Sequence, residues 1–447
     1  SVALRPRIFR TSTAKGSVCG VGSAPLVAFR ILVLDWLVAI AVAALLLPAT
    51  DLLAPAATIP MPGHGDHFVA MARDPWAFDG AFPHRVLWPA LAQLAGVFGI
   101  GPVAFSHGCN GALLAVVFWF CRRRGAGWLG SLLVAAAIAA TGAVLVYRLL
   151  PCISDSLNLM LLLFAAHAVR RPAIYWGLVL LAALSHEMAM LFLPFFWWLR
   201  YRSGGTPWRD GVWLAGVVVC YASLRALFVA LGPEVVAGST TGSYDLSYYF
   251  RENFWVPWGL PAMWVLWWMV TLAEFGPLLA VVVAAARRRE LGLGGPYGGL
   301  IYLLCVLSLM ALAYDMMRFA SYAMLPVVLG GVALVRTNAG RLCLAALVVA
   351  AGFSHRLTHP DPTQFGGRGY HEAAVHIGAL QQQGFSLATP GDAFAFGREL
   401  FARLGAHVWQ AAVATIVVVL LGVFLARYVG TASAAGSTPR TRRNASP

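Results

Sequence analysis

The sequence predicts an all-α, polytopic integral membrane protein, and three observations predict it. Of its 447 residues, 60% are hydrophobic and 11% charged, whereas an average soluble domain is about one-quarter charged. Apolar runs of about 20 residues recur along the chain, the length at which a helix spans a bilayer. Arginine clusters punctuate those runs. The net charge of +14 then follows from basic residues kept on the cytoplasmic side, and nothing in it calls for nucleic acid as a partner.

Each element follows from that frame. Residues 1–27 are a basic tail with Arg5, Arg7, Arg10 and Lys15, placed in the cytoplasm. The run 28–47 crosses outward. It is too long for a signal-peptide core, and no clear cleavage site follows it. Residues 49–101 form a polar outer loop after this first helix. The next basic cluster, Arg122-Arg123-Arg124, belongs inside, and the run 102–121 supplies the return. Residues 86–99 are then an amphipathic stretch at the outer interface.

The run 128–147 goes out and 150–169 comes back to Arg170 and Arg171. Two short apolar stretches follow, 173–184 and 188–199, split by Ser185-His186-Glu187. Twelve helical residues reach only about 18 Å of a core roughly 30 Å thick. The split stretch therefore reads as two short helices meeting at a His-Glu tip, shielded by protein. Residues 211–231 go out with Arg225 embedded, and a return run ends at Arg287-Arg288-Arg289. Residues 297–313 go out to Tyr314-Asp-Met-Met-Arg318, and 319–335 return to Arg336 and Arg341.

Residues 342–353 go out and complete a membrane core spanning 28–353. A second outer loop covers 354–407, a last transmembrane helix 408–426 and a cytoplasmic tail 427–447. The count is about twelve transmembrane or half-membrane helices with both termini inside. The cysteines lie mostly in or beside apolar runs, with no zinc-like spacing and no disulfide framework.

The acids show a bias that basic-residue placement does not explain. Asp210 and Glu290 fall inside, Asp35 and Glu274 within spans, and nearly all the rest at or just below the outer side. A polar site opening outward accounts for it. Its candidate residues are Asp66, His67, His84 and Arg85 in the first loop, then Arg148 and Asp155, His186 and Glu187, and Asp315 and Arg318. Convergent ionisable groups near lipid are expensive and usually functional. Simpler roles stand beside these. Asp66 reads equally as a solvated loop acid, Asp155 as a cap for the helix beginning at Ser156, and Arg318 as the partner of Asp315 one turn away.

Three motifs carry a resemblance: the first-loop acid followed by Pro83-His-Arg-Val-Leu-Trp-Pro89, the pair of short helices around Ser185-His-Glu187, and Asp315-Met-Met-Arg318 before Pro326. In order and spacing they resemble bacterial members of the GT-C superfamily of membrane glycosyltransferases, over most of residues 28–353. The resemblance implies an inner-membrane, multi-pass enzyme with its active site on the extracytoplasmic face. Such an enzyme takes a sugar from a polyprenyl phosphate and passes it to an acceptor hydroxyl on a glycan, lipid or protein.

By this resemblance Asp66 is the catalytic aspartate, acting as general base in an inverting transfer, with Glu187 beside it. His67, His84, Arg85, Arg148, Asp155, His186, Asp315 and Arg318 bind substrate. Arg318, Arg85 and His186 are the groups suited to a lipid phosphate, since charge and strong donors stabilise such a leaving group. Many relatives carry two acids close together in the first loop, where this chain has Asp66 followed by His67. No cofactor is implied by the residues, and the departure at His67 weakens the case for a divalent metal. A transporter or lipid flippase is the alternative, because broken helices with charge at depth are also a transporter signature. The chain shows no clear internal repeat, and its acids gather at one face instead of the midplane.

Overall fold

The computed structural model describes residues 24–53, 64–73, 85–149, 154–231, 261–309, 320–358, 368–384 and 390–435. Every regular element among them is helical. In chain order these are α1 (Ala24–Leu53), α2 (His64–Arg73), α3 (Leu87–Val97), α4 (Pro102–Arg123), α5 (Trp128–Ala139), α6 (Gly142–Leu149), α7 (Asp155–Ala168), α8 (Pro172–Ser185) and α9 (Leu193–Arg202). There follow α10 (Pro207–Leu231), α11 (Pro261–Phe275), α12 (Leu279–Arg287), α13 (Pro296–Leu309), α14 (Met324–Leu334), α15 (Asn338–Thr358), α16 (Arg368–Gln382), α17 (Pro390–Arg403) and α18 (Gly405–Ala435). Several open on proline, whose fixed φ suits the first helical position and whose missing N–H is not needed there.

Among the described residues, four helical stretches are long and apolar enough to cross a membrane: Pro102–Arg123, Pro207–Leu227, Trp264–Arg287 and Gly405–Thr431. The other apolar helices are shorter, for local reasons. The expected span over 128–147 breaks between α5 and α6. There Thr141 donates its hydroxyl to the Ile138 carbonyl at 2.6 Å, competing with the helical ladder, and Gly142 follows. The run ending at Arg287 is interrupted by a 3-10 turn at Gly276–Leu278. The two segments expected as outer loops are not loops throughout. The first contains α2 and α3. The second contains α16 and α17, and α15 extends to Thr358.

Small residues allow close helix packing, as is common where lipid supplies no hydrophobic drive between helices. A Cβ on Gly422 of α18 would sit 2.5 Å from the Val283 Cβ of α12. One on Gly330 of α14 would sit 3.0 Å from the Val281 carbonyl oxygen of α12, and one on Gly130 of α5 2.9 Å from Val335. These contacts build a single apolar core that joins most of the helices. The outward sides of α10 and α18 carry exposed Val212, Trp213, Val219, Val413, Ile416 and Leu420, the pattern of helices facing hydrocarbon.

The arginine clusters gather at one end of the bundle. Arg124 donates to the Ala166 carbonyl at 2.9 Å, joining the ends of α4 and α7. Arg200 donates to the Val169 carbonyl and pairs with Asp210 at 2.9 Å, and Asp210 also accepts from Trp176 at 3.1 Å. Trp198 donates to the Gly294 carbonyl at 3.3 Å. Asp35, expected within a span, lies 3.5 Å from Arg122 and 3.7 Å from Arg123. The turn after α4 closes because Gly125 adopts φ +86, so the amides of Gly125 and Ala126 reach back to the carbonyls of Arg122 and Cys121.

Candidate functional site

The opposite end of α7 and α8 holds the candidate site. Asp155 opens α7, and the fourteen residues of that helix place it about 20 Å along the axis from the arginine-rich end. Asp155 lies inside the first turn, with Ser154 at the cap position, so its carboxylate does not cap a helix beginning at Ser156. Ser185, the last residue of α8, donates to the Ser154 carbonyl at 3.3 Å. That bond brings the end of α8 to the start of α7.

The helix then breaks as its sequence suggests. His186 is extended, with φ −155 and ψ 123, and Glu187–Phe192 form a 3-10 helix leading into α9. The Met188 amide donates to His186 Nδ1 at 3.3 Å. An accepting Nδ1 places the imidazole proton on Nε2, which faces Asp155 Oδ1 at 3.7 Å. Both side chains are buried. That distance is an electrostatic contact, longer than a hydrogen bond. Glu187 Oε2 lies 3.5 Å from His186 Nδ1, so the imidazole stands between two carboxylates.

Arg85 completes the row from a distant part of the chain. Its Nε donates to Glu187 Oε2 at 2.6 Å, and its Nη2 donates to Glu187 Oε1. The parallel fork is the geometry in which guanidinium and carboxylate bind most strongly. Arg85 is held there because α3 begins two residues later and is fixed by Trp88. That indole is fully buried and meets Phe105 of α4 edge-on at 5.6 Å. Helix α2 packs on α3, so the segment bearing Asp66 and His67 in its first turn is tied to the same end.

The structure thus brings Arg85, Asp155, His186 and Glu187 together. Asp66, His67 and Arg148 lie on described helices, α2 and α6, but their side chains fall outside what is described. His84, Asp315 and Arg318 lie outside the described residues, as do residues 232–257 between α10 and α11. Among the described residues no three His, Cys, Asp or Glu side chains converge as metal ligands.

Other residues join the site. Tyr221 of α10 is buried; its hydroxyl interacts with Arg225 and lies within the electrostatic reach of Glu187 and Arg85. Arg225 follows Tyr221 by four residues and so shares its face of the helix. On the other side of Asp155, the buried Tyr147 hydroxyl feels the charges of Asp155 and Glu274 and interacts with Ser321. Deeper in the bundle Asn110 donates to the Tyr147 carbonyl at 3.0 Å and accepts from the Ser156 hydroxyl, and Asn158 donates to the Tyr322 hydroxyl at 2.6 Å. Arg225 and Glu274 were visible in the sequence as charges inside apolar runs, but nothing there joined them to Tyr221 or Tyr147. The neutral groups carried no signal.

No family model matches the chain, and no curated protein or solved structure shows significant similarity to it.

Proposed function

We propose that the protein is a membrane glycosyltransferase of GT-C type. It moves a sugar from a polyprenyl-phosphate donor to an acceptor hydroxyl at the outer face of the inner membrane, with both termini cytoplasmic. The observation that carries this reading is the pairing of Arg85 with Glu187. It ties the first-loop segment, with its catalytic-aspartate candidate, to the buried Asp155–His186–Glu187 row. It does so at the end of α7 and α8 away from the arginine clusters.

In the proposed reaction Asp66 accepts the proton of the acceptor hydroxyl as that oxygen attacks the anomeric carbon. The bond from that carbon to the phosphate oxygen breaks, and the lipid phosphate leaves with the electron pair. Inversion follows from attack opposite the leaving group. Arg318 supplies the planar fork suited to the phosphate, with Arg148 and His84 assigned to substrate binding. Arg85 already has a carboxylate on its fork, so its role is to hold Glu187 in place. Glu187 and His186 then orient the acceptor hydroxyl, and Asp155 holds His186 in its Nε2-protonated form. Asp315 positions Arg318, and His67 lines the acceptor side of Asp66.

The test is Asp66→Asn, which is nearly isosteric and cannot take the proton usefully. Turnover falls by about two orders of magnitude or more, while folding and donor binding persist. Asp74→Asn is the control and has a mild effect, because Asp74 precedes Pro75 and suits a turn. Near-normal turnover in Asp66→Asn would remove the assignment.

A further inference from the structure

Helix α17 carries more apolar surface than its packing uses. Phe396 and Leu400 are buried, and the helix packs against α11 and α16. Phe394 and Phe401 are 61% and 41% exposed, with exposed Arg398 between them. Spacings of four and seven residues put these three on one side of the helix. Asp392, Glu399 and Arg403 recur on another side at the same spacings. There Arg403 donates to Glu399 at 3.2 Å and to Gln383, just beyond α16, at 3.0 Å. The helix thus has three sectors: one against protein, one polar, and one of two phenyl rings with an arginine. A surface helix in water needs only the first two.

The position of α17 identifies what covers the third. Only Leu404 separates α17 from α18, which is long and apolar enough to cross a membrane. The helical run breaks at Leu404. Without that break the fourteen residues of α17 would run about 21 Å straight out along the axis of α18. Instead α17 lies against α11, itself part of a stretch able to cross a membrane. Helix α16 clasps the joint, with Glu372 Oε2 2.5 Å from His407 Nε2. Trp409, near the start of α18, is 75% exposed, and tryptophan is enriched where a helix passes the headgroup level. Phe401, just before the bend, belongs to the same border. The end of α16 is the contrast, because its exposed residues are Gln381, Gln382 and Gln383, which suit water.

We propose that α17 is an interfacial helix whose Phe394 and Phe401 enter the membrane surface at which α18 begins, with Arg398 at the lipid phosphates. The rings reach the boundary between headgroups and acyl chains, about 5–10 Å in. The long arginine stem lets its charge stay among the headgroups. This placement requires α18 to cross the membrane and is independent of the reaction assigned to Asp66.

The test uses full-length protein in lipid nanodiscs, with a nitroxide on a single cysteine in a background without the native cysteines. Phe394→Cys and Phe401→Cys report on the apolar sector, and both positions are exposed, so the fold is retained. Asp392→Cys and Gln382→Cys are the polar controls. Relaxation by molecular oxygen, which concentrates in lipid, is compared with relaxation by a water-soluble nickel chelate. Oxygen dominates at 394 and 401, and nickel at 392 and 382. Dominance of nickel at 394 and 401 would overturn the placement. Shielding of both positions from both reagents would also overturn it, because protein would then cover the face. A second measurement leaves the native cysteines in place. The emission that Phe401→Trp adds to the wild-type spectrum is quenched by lipids brominated near the head of the acyl chain, and not by acrylamide in the water. The reverse pattern would contradict the proposal.

Discussion

Arg85 and Glu187 are 102 residues apart in the chain and meet as a partly buried ion pair with two parallel hydrogen bonds. The pair fastens the segment before α3 to the break between α8 and α9. Removing one partner takes from the other, largely desolvated charge its bidentate match. Arg85→Met should therefore lower stability by about 3–5 kcal/mol. Glu187→Leu should do the same alone, and the two together should recover most of the loss. Thermal unfolding in detergent across the four proteins measures the coupling. Additive losses would mean that the pair does not join the two segments.

The helical class and the His-Glu break were legible because they rest on local signals. Apolar run length sets the helices, and polar residues at 185–187 interrupt one. The meeting of Arg85 with Glu187 was not legible, because no local pattern fixes a contact between a first-loop cation and a tip so far along the chain. Asp35 read as an acid within a span until its partners Arg122 and Arg123 placed it near the arginine-rich end. The break at Thr141 was hidden for a different reason. A threonine inside an apolar run is compatible with a continuous helix, and only its hydroxyl bond to Ile138 reveals the interruption. The helices α16 and α17 were read as loop because their sequence is polar, which is also how a helix outside the hydrocarbon looks.

In the turn between α9 and α10, the close approach of two groups requires glycine at 205. A Cβ on Gly205 would lie 2.1 Å from Asp210 Oδ2 and 2.8 Å from the Arg200 carbonyl oxygen. Gly205→Ala should push apart the Arg200–Asp210 pair and cost about 1–3 kcal/mol, seen as a lowered melting temperature. Gly216→Ala, in α10 with nothing within 4 Å, should leave stability unchanged or slightly raised. Equal behaviour of the two would show that the close approach is unimportant.

Arginine spacing predicts that residue 81, in the first expected outer segment, and residue 382, in the second, share one face of the membrane. Single cysteines at Ala81 and Gln382, in a background without the native cysteines, should both react with a membrane-impermeant reagent from outside. Gln382 ends α16 and is exposed. Labelling of one position without the other would refute the shared face.

The central claim is that the chain handles a polyprenyl-phosphate sugar, and the lipid that accompanies the purified protein tests it most directly. Mass spectrometry of lipids extracted from full-length wild-type protein should show a polyprenyl phosphate or its sugar conjugate. Protein carrying Asp66→Asn should be enriched in the sugar conjugate, because the donor binds and is not consumed. Preparations of both proteins that contain ordinary phospholipid and no polyprenyl species would contradict the assignment.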